Sequence, residues 1–97
     1  MLTDNEFALF TSCINAEDFG FDADSTSDRW KLYEHGADQF LTEPGDSESK
    51  TFMKAWSHCD FLNDKHYEDH ISFCVIRLGQ TFYVIDKEEA KKLGLTF

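Results

Sequence analysis

Basic residues are scarce in this 97-residue chain: nine Lys and Arg stand against 19 Asp and Glu, leaving a formal net charge of −10. A surface of that sign repels phosphate backbones and lipid headgroups, so direct nucleic-acid binding and membrane-surface binding are excluded as expected roles. Cysteine is sparse too. Cys13, Cys59 and Cys74 are odd in number and irregularly spaced, which argues against a disulfide framework and fits reduced thiols. No window approaches the roughly 18 consecutive apolar residues of a membrane helix. The opening MLTDNEFALF carries acids where a secretory signal would carry Lys or Arg. The expectation is a soluble, cytoplasmic protein.

What the chain does have is aromatic bulk: ten Phe, two Trp and three Tyr make up 15% of it, enough to fill a modest core and to argue against wholesale disorder. The length suits one domain, residues 1–97, and is too short for two cores. Charge divides that domain. Residues 1–49 hold twelve acids against Arg29 and Lys31, whereas residues 50–97 hold seven of each sign, so the whole imbalance lies in the first half.

Residues 3–15 read as a helix, with a Thr3/Glu6 capping box and Phe7, Phe10 and Ile14 on one face. The following AEDFGFDADSTSD is a loop by composition, expected to be pinned to the core by Phe19 and Phe21. DRWKLYEHGADQFL fits two patterns. Trp30, Tyr33, Ala37, Phe40 and Leu41 make a helical face with Ser27 or Asp28 as N-cap, whereas Trp30, Leu32 and Glu34 alternate as a strand would up to Gly36; helix is the expectation. TEPGDSES holds the only proline and reads as a linker.

Residues 50–62 place Phe52, Trp56, Cys59 and Leu62 along one helical stripe. HISFCVIR and TFYVID predict a hairpin, strands about 70–77 and 81–86, whose turn uses Gly79 at the first central position of type II′. That register sets Val75 opposite Val84 and Ile76 opposite Tyr83. Both faces of the hairpin are apolar, so cover on both sides or further strands are expected. Asp86 and Glu89 form a second capping box for a last helix docked by Ala90 and Leu93 and stopped by Gly94. The predicted fold is therefore α+β, with three to four short helices packed on an antiparallel hairpin or small sheet.

Three features invite a chemical reading. SHCDFLNDKHYEDHISFC gathers Cys59, His66, His70 and Cys74, but a strand beginning near His70 breaks the single helical face that a zinc site would need, and no close ligand pair such as C-x-x-C is present. A Cys–His nucleophilic pair can be drawn from the same residues, with no oxyanion donor to support it. FDADSTSDRWKLYE aligns Asp22, Asp24 and Thr26 with a calcium loop, yet Ser27 stands where that loop requires Gly and Tyr33 where it requires Glu. No metal and no cofactor is therefore expected, and no catalytic residue.

The acidic half remains. About ten uncompensated charges on a small domain destabilise it by self-repulsion and attract basic grooves, many of which belong to enzymes that bind DNA or RNA. In size and charge the chain is similar in kind to small acidic phage proteins that block host restriction or CRISPR nucleases, and to acidic immunity proteins that neutralise nuclease toxins, although no motif ties it to either. The function expected is that of a non-enzymatic inhibitor or binding protein, acting in a host cytoplasm if phage-encoded. Asp22, Asp24, Asp28, Glu34, Asp38, Glu43, Asp46 and Glu48 would supply charge, in possible imitation of a DNA backbone, and Trp30 and Tyr33 the apolar anchors. The alternatives are a zinc-binding regulatory domain using the cluster at 59–74, and a subunit of a larger assembly that completes the apolar hairpin by strand pairing.

Overall fold

The computed structural model describes residues 13–95. In chain order its elements are strand β1 (Ile14–Asn15), a 3-10 turn (Ala16–Phe19), helix α1 (Thr26–Glu34), strand β2 (Asp38–Leu41), helix α2 (Glu48–Lys65), a second 3-10 turn (Tyr67–Asp69), strands β3 (Phe73–Leu78) and β4 (Thr81–Asp86), and helix α3 (Lys87–Lys92). The strands form one mixed sheet in the order β1-β3-β4-β2, with β1 parallel to β3 and the other pairs antiparallel. Among the described residues, three helices packed against four strands make the α+β fold expected from the sequence.

The β3–β4 hairpin lies at the centre of the sheet. Val75 faces Val84 and Ile76 faces Tyr83, the register predicted from hydrophobic matching. Gly79 has φ +64° and Gln80 does not share the positive value, as a type II′ turn requires. A Cβ on Gly79 would also fall 2.9 Å from the Cβ of Ala23, so the turn is closed by conformation and by contact. Alternation sends Val75, Phe82 and Val84 to one face, against Phe52, Ala55 and Cys59 of α2. It sends Cys74, Ile76, Leu78, Tyr83 and Ile85 to the other, against Ala16, Leu32, Ala37, Ala90 and Leu95. Both apolar faces are thus covered. Each fully buried large side chain among them stabilises the fold by about 1.5–3 kcal/mol.

Helix α2 forms where the apolar stripe predicts it. Ser47 caps it by accepting the Lys50 N–H at 3.2 Å, and Phe52, Ala55 and Cys59 are the apolar side chains it buries on the sheet. The second layer is built differently, from short helices that end in a common way. In α1 the Gly36 N–H donates to Tyr33 O at 3.0 Å and the Ala37 N–H to Leu32 O at 3.1 Å; in α3 the Gly94 N–H donates to Lys91 O and the Leu95 N–H to Ala90 O, both at 3.0 Å. These are Schellman stops, with each glycine in the left-handed region that a Cβ disfavours. The residue after each glycine turns back onto the one the motif pairs with it, so Leu32 with Ala37 and Ala90 with Leu95 enter the same core cluster. A similar bond, Phe21 N–H to Ala16 O at 3.2 Å, closes the first 3-10 turn.

Several expectations are corrected. Of the helix predicted over 3–15, residues 3–12 lie outside the described residues, and Ile14–Asn15 is a strand because it pairs with Ile76 and Arg77 of β3. Residues 28–41 are neither one helix nor one strand: the helix runs from an N-cap at Ser25 to Glu34, and Gly36 redirects the chain into β2. Its inward residue is Leu32, whereas Trp30, Tyr33 and Leu41 are exposed. Phe21 packs against the core but Phe19 is exposed. Strand β3 starts at Phe73 because His70, at φ 57°, ends the preceding 3-10 turn in a left-handed conformation. At α3, Asp86 accepts the Glu88 N–H at 2.8 Å, but Glu89 does not complete the box; its carboxylate bonds His35 and Lys92 instead.

Candidate protein-binding face

Topology carries five of the eight candidate acidic residues to one end of the sheet. Leu41 at the end of β2 pairs with Thr81, directly after the hairpin turn, and the Thr42 hydroxyl donates to Gln80 O at 2.6 Å. The loop from Thr42 to Ser47 therefore leaves from the turn, carrying Glu43 and Asp46 and leading to Glu48 at the start of α2. The first 3-10 turn and the loop after it reach the same end: Glu17 accepts the Gly79 N–H at 3.0 Å, and Asp24 lines a cavity of about 360 Å³ with Thr42, Gly79 and Gln80. Asp22, Asp24, Glu43, Asp46 and Glu48 are thus brought to the turn end. Asp28 and Glu34 sit on α1, and Asp38 lies farther along β2, opposite Val84.

The carboxylates differ in what already holds them. Asp28 caps the loop by accepting the Asp22 N–H at 2.8 Å and pairs with Lys31 at 3.3 Å; the backbone N–H, then Lys31, lowers its pKa below the usual carboxylate value. Asp46 pairs with Lys50 at 3.1 Å, and Asp38 bonds His58 at 2.7 Å. Asp22 accepts the Asp24 N–H at 2.9 Å. Asp24, Glu34, Glu43 and Glu48 have no ion pair among the described residues.

Both cations of the acidic half are committed internally. Lys31 is held by Asp28. Arg29 turns inward, where its Nε donates to Ala23 O at 2.8 Å and its Nη1 to Thr81 Oγ1 at 2.9 Å and Tyr83 Oη at 3.2 Å. That role was not visible in the sequence, because it depends on Thr81 and Tyr83 from a strand more than 50 positions away. It anchors α1 to the hairpin, as buried Leu32 does to the core, and the His35–Glu89 contact at 2.7 Å ties α1 to α3.

With its inner face so held, α1 presents Trp30 and Tyr33 outward. They are 56% and 61% exposed, and their rings stack with centroids 5.1 Å apart and planes at 28°. The spacing of Trp30, Tyr33 and Glu34 puts all three on one side of the helix. Exposed aromatics also occur in the charge-neutral half, at Phe61 and Tyr67, each without such a partner ring among the described residues. Neither was singled out by its sequence pattern, since Phe61 falls off the stripe of α2.

The His/Cys stretch is divided by the fold. Cys59 lies on α2 and Cys74 on β3, and both line a cavity of about 250 Å³ that also takes in Cys13, Phe52, Trp56, Phe73 and Lys87. His66 caps the end of α2 and contacts Asp69 at 3.3 Å, and His70 follows the 3-10 turn. Among the described residues no three His, Cys, Asp or Glu side chains converge to hold a metal ion. Burial raises the pKa of all three thiols, that of Cys74 to about 12. The shift disfavours the thiolate form that nucleophiles use.

No helix among the described residues is long and apolar enough to cross a membrane. Comparison with protein-family models, with curated proteins and with solved structures gives no match to this chain. The functional reading therefore rests on the face itself.

Proposed function

We propose that this protein is a non-enzymatic inhibitor or binding module that occupies a basic surface of a partner, of the kind with which enzymes grip DNA or RNA. The observation that carries the reading is the stacked, exposed Trp30–Tyr33 pair on an acidic segment whose only two cations, Arg29 and Lys31, are already engaged. Large aromatics that can be desolvated give an interface its affinity, and uncompensated carboxylates steer the encounter toward basic partners. Asp22, Asp24, Glu43 and Glu48 near the turn end and Glu34 on α1 would supply the uncompensated charge, and Asp28, Asp38 and Asp46 less because each shares its charge with a neighbour. Blocking host restriction or CRISPR nucleases, or neutralising a nuclease toxin, are the biological settings that suit such a face.

The test is capture of partners from cell extract followed by a salt titration. A nucleic-acid enzyme whose binding weakens steeply with ionic strength, and whose nucleic acid competes with this protein, is the expected outcome. A tight partner with no basic surface would show the reading to be wrong.

A further inference from the structure

We propose that the outer side of α1 receives an arginine-bearing segment of the partner, with a guanidinium lying against the Trp30–Tyr33 pair and hydrogen-bonded to the carboxylate of Glu34. This rests on the reading above and adds the chemistry of the contact.

Three observations specify a cation at this place. Trp30 and Tyr33 stack on each other with more than half of each residue exposed, so ring surface remains available to a partner. Glu34 is exposed, lies four residues after Trp30 on the same side and has no ion pair among the described residues. The nearest cations of the helix are committed elsewhere, Lys31 to Asp28 and Arg29 to Ala23, Thr81 and Tyr83. The site thus combines aromatic rings with a carboxylate that has no ion pair among the described residues, and the lysine nearest it in the helix, Lys31, pairs with Asp28 instead.

Guanidinium suits this combination better than ammonium does. It is planar, loses little on stacking over an indole or phenol ring, and can still present paired N–H donors edge-on to a carboxylate. An ammonium is a strongly hydrated point charge and satisfies only one of the two demands at a time. A second copy of the chain is disfavoured by repulsion between two molecules of formal charge −10, and a nucleic acid by the same sign. A purely apolar helix would leave Glu34 without a partner and desolvate it.

The experiment is calorimetric titration of the intact protein with a short Arg-Gly repeat peptide and its Lys-Gly counterpart of equal charge. The arginine peptide is expected to bind up to about fivefold more tightly, the full value of an exposed cation–π contact, reached if the hydrated ammonium forgoes the rings to stay in water. In W30A/Y33A that preference is expected to vanish while salt-dependent binding persists, and in E34Q it is expected to shrink. Circular dichroism checks that each variant is folded. Equal affinity for the two peptides, a preference that survives W30A/Y33A, or failure of both peptides to bind would each overturn the proposal. Equal affinities together with capture of a basic nucleic-acid enzyme would leave the inhibitor reading standing without this contact. An arginine preference with no basic partner in extract would do the reverse.

Discussion

The side-chain amide of Asn63 takes the place of a neighbouring strand for Phe73: its Oδ1 accepts the Phe73 N–H at 2.6 Å and its Nδ2 donates to Phe73 O at 3.4 Å. β1 spans only two residues and pairs with Ile76 and Arg77, so the start of β3 has no strand beside it on that edge among the described residues. A residue of α2 supplies the missing ladder contacts and ties helix to sheet. Asn63→Ala removes both bonds from a partly buried backbone group and is expected to cost about 1–3 kcal/mol. Urea denaturation gives the magnitude, and faster hydrogen exchange at the Phe73 amide would locate the loss.

The two sides of α1 are expected to separate stability from binding. Leu32 is fully buried, so Leu32→Ala should destabilise by about 2–5 kcal/mol. Trp30→Ala and Tyr33→Ala remove exposed rings and should stay within about 0.5 kcal/mol of wild type, apart from the loss of their mutual stacking. Thermal unfolding of the three variants, set beside their affinity for a captured partner, checks both halves.

Closure of the hairpin turn can be tested with a double-mutant cycle. Gly79→Ala meets a positive φ and a Cβ of Ala23 2.9 Å away, so it should destabilise by more than the roughly 1–2 kcal/mol of the conformational effect alone. Ala23→Gly removes the clash and leaves the φ penalty. The Ala23→Gly/Gly79→Ala double variant should therefore be less destabilised than the sum of the single changes. Strict additivity in equilibrium unfolding would show that the contact is not felt.

Acid should loosen the contact between α1 and α3. The hydrogen bond from His35, followed by that from Lys92, lowers the pKa of Glu89 below the usual carboxylate value. A group with a lowered folded pKa contributes stability above its unfolded pKa and loses that contribution as pH falls through the folded one. The loss therefore belongs to the acid limb, below the ordinary Glu range. Asp28, lowered mainly by the Asp22 N–H, acts in the same direction. In Glu89→Gln the acid limb of a stability-against-pH profile should be shallower than in wild type.

Thiol labelling should be slow and ordered. Cys13 is half-buried, Cys59 and Cys74 are buried, and burial holds the Cys74 thiol at about 12. At mildly alkaline pH iodoacetamide should modify Cys13 first and Cys74 last, as read by peptide mass spectrometry. Early modification of Cys74 would indicate that the interior opens locally.

The hairpin could be read from the sequence because its information is local: a glycine at the turn and two apolar runs whose partners match. α2 could be read because its buried residues fall on one stripe. β1 could not, since two residues become a strand only through pairing with residues 62 positions later. The α1–β2 region misled for a different reason. Its apolar residues serve two surfaces, Leu32 the core and Trp30 and Tyr33 the solvent, so no single period fits. A usable local signal was nevertheless present. An apolar residue, then glycine four positions on and another apolar residue directly after it, recurs at Ala16–Gly20–Phe21, Leu32–Gly36–Ala37 and Ala90–Gly94–Leu95, and each set ends a turn or helix on the core. The acidic content of the candidate face was plain from the sequence. The engagement of Arg29 and the exposure of Trp30 were not, since both depend on where the hairpin lies.

The Schellman stops have a practical consequence. α1 and α3 are only nine and six residues long, too short to persist alone in water, so they hold their shape because Leu32 and Ala37, and Ala90 and Leu95, lock them onto the sheet. The arrangement of the stacked aromatics, and of the acidic loops at the hairpin turn, is therefore a property of the assembled domain. A synthetic peptide spanning α1 would carry the same side chains without the arrangement, and would make a poor competitor for whatever the whole protein binds.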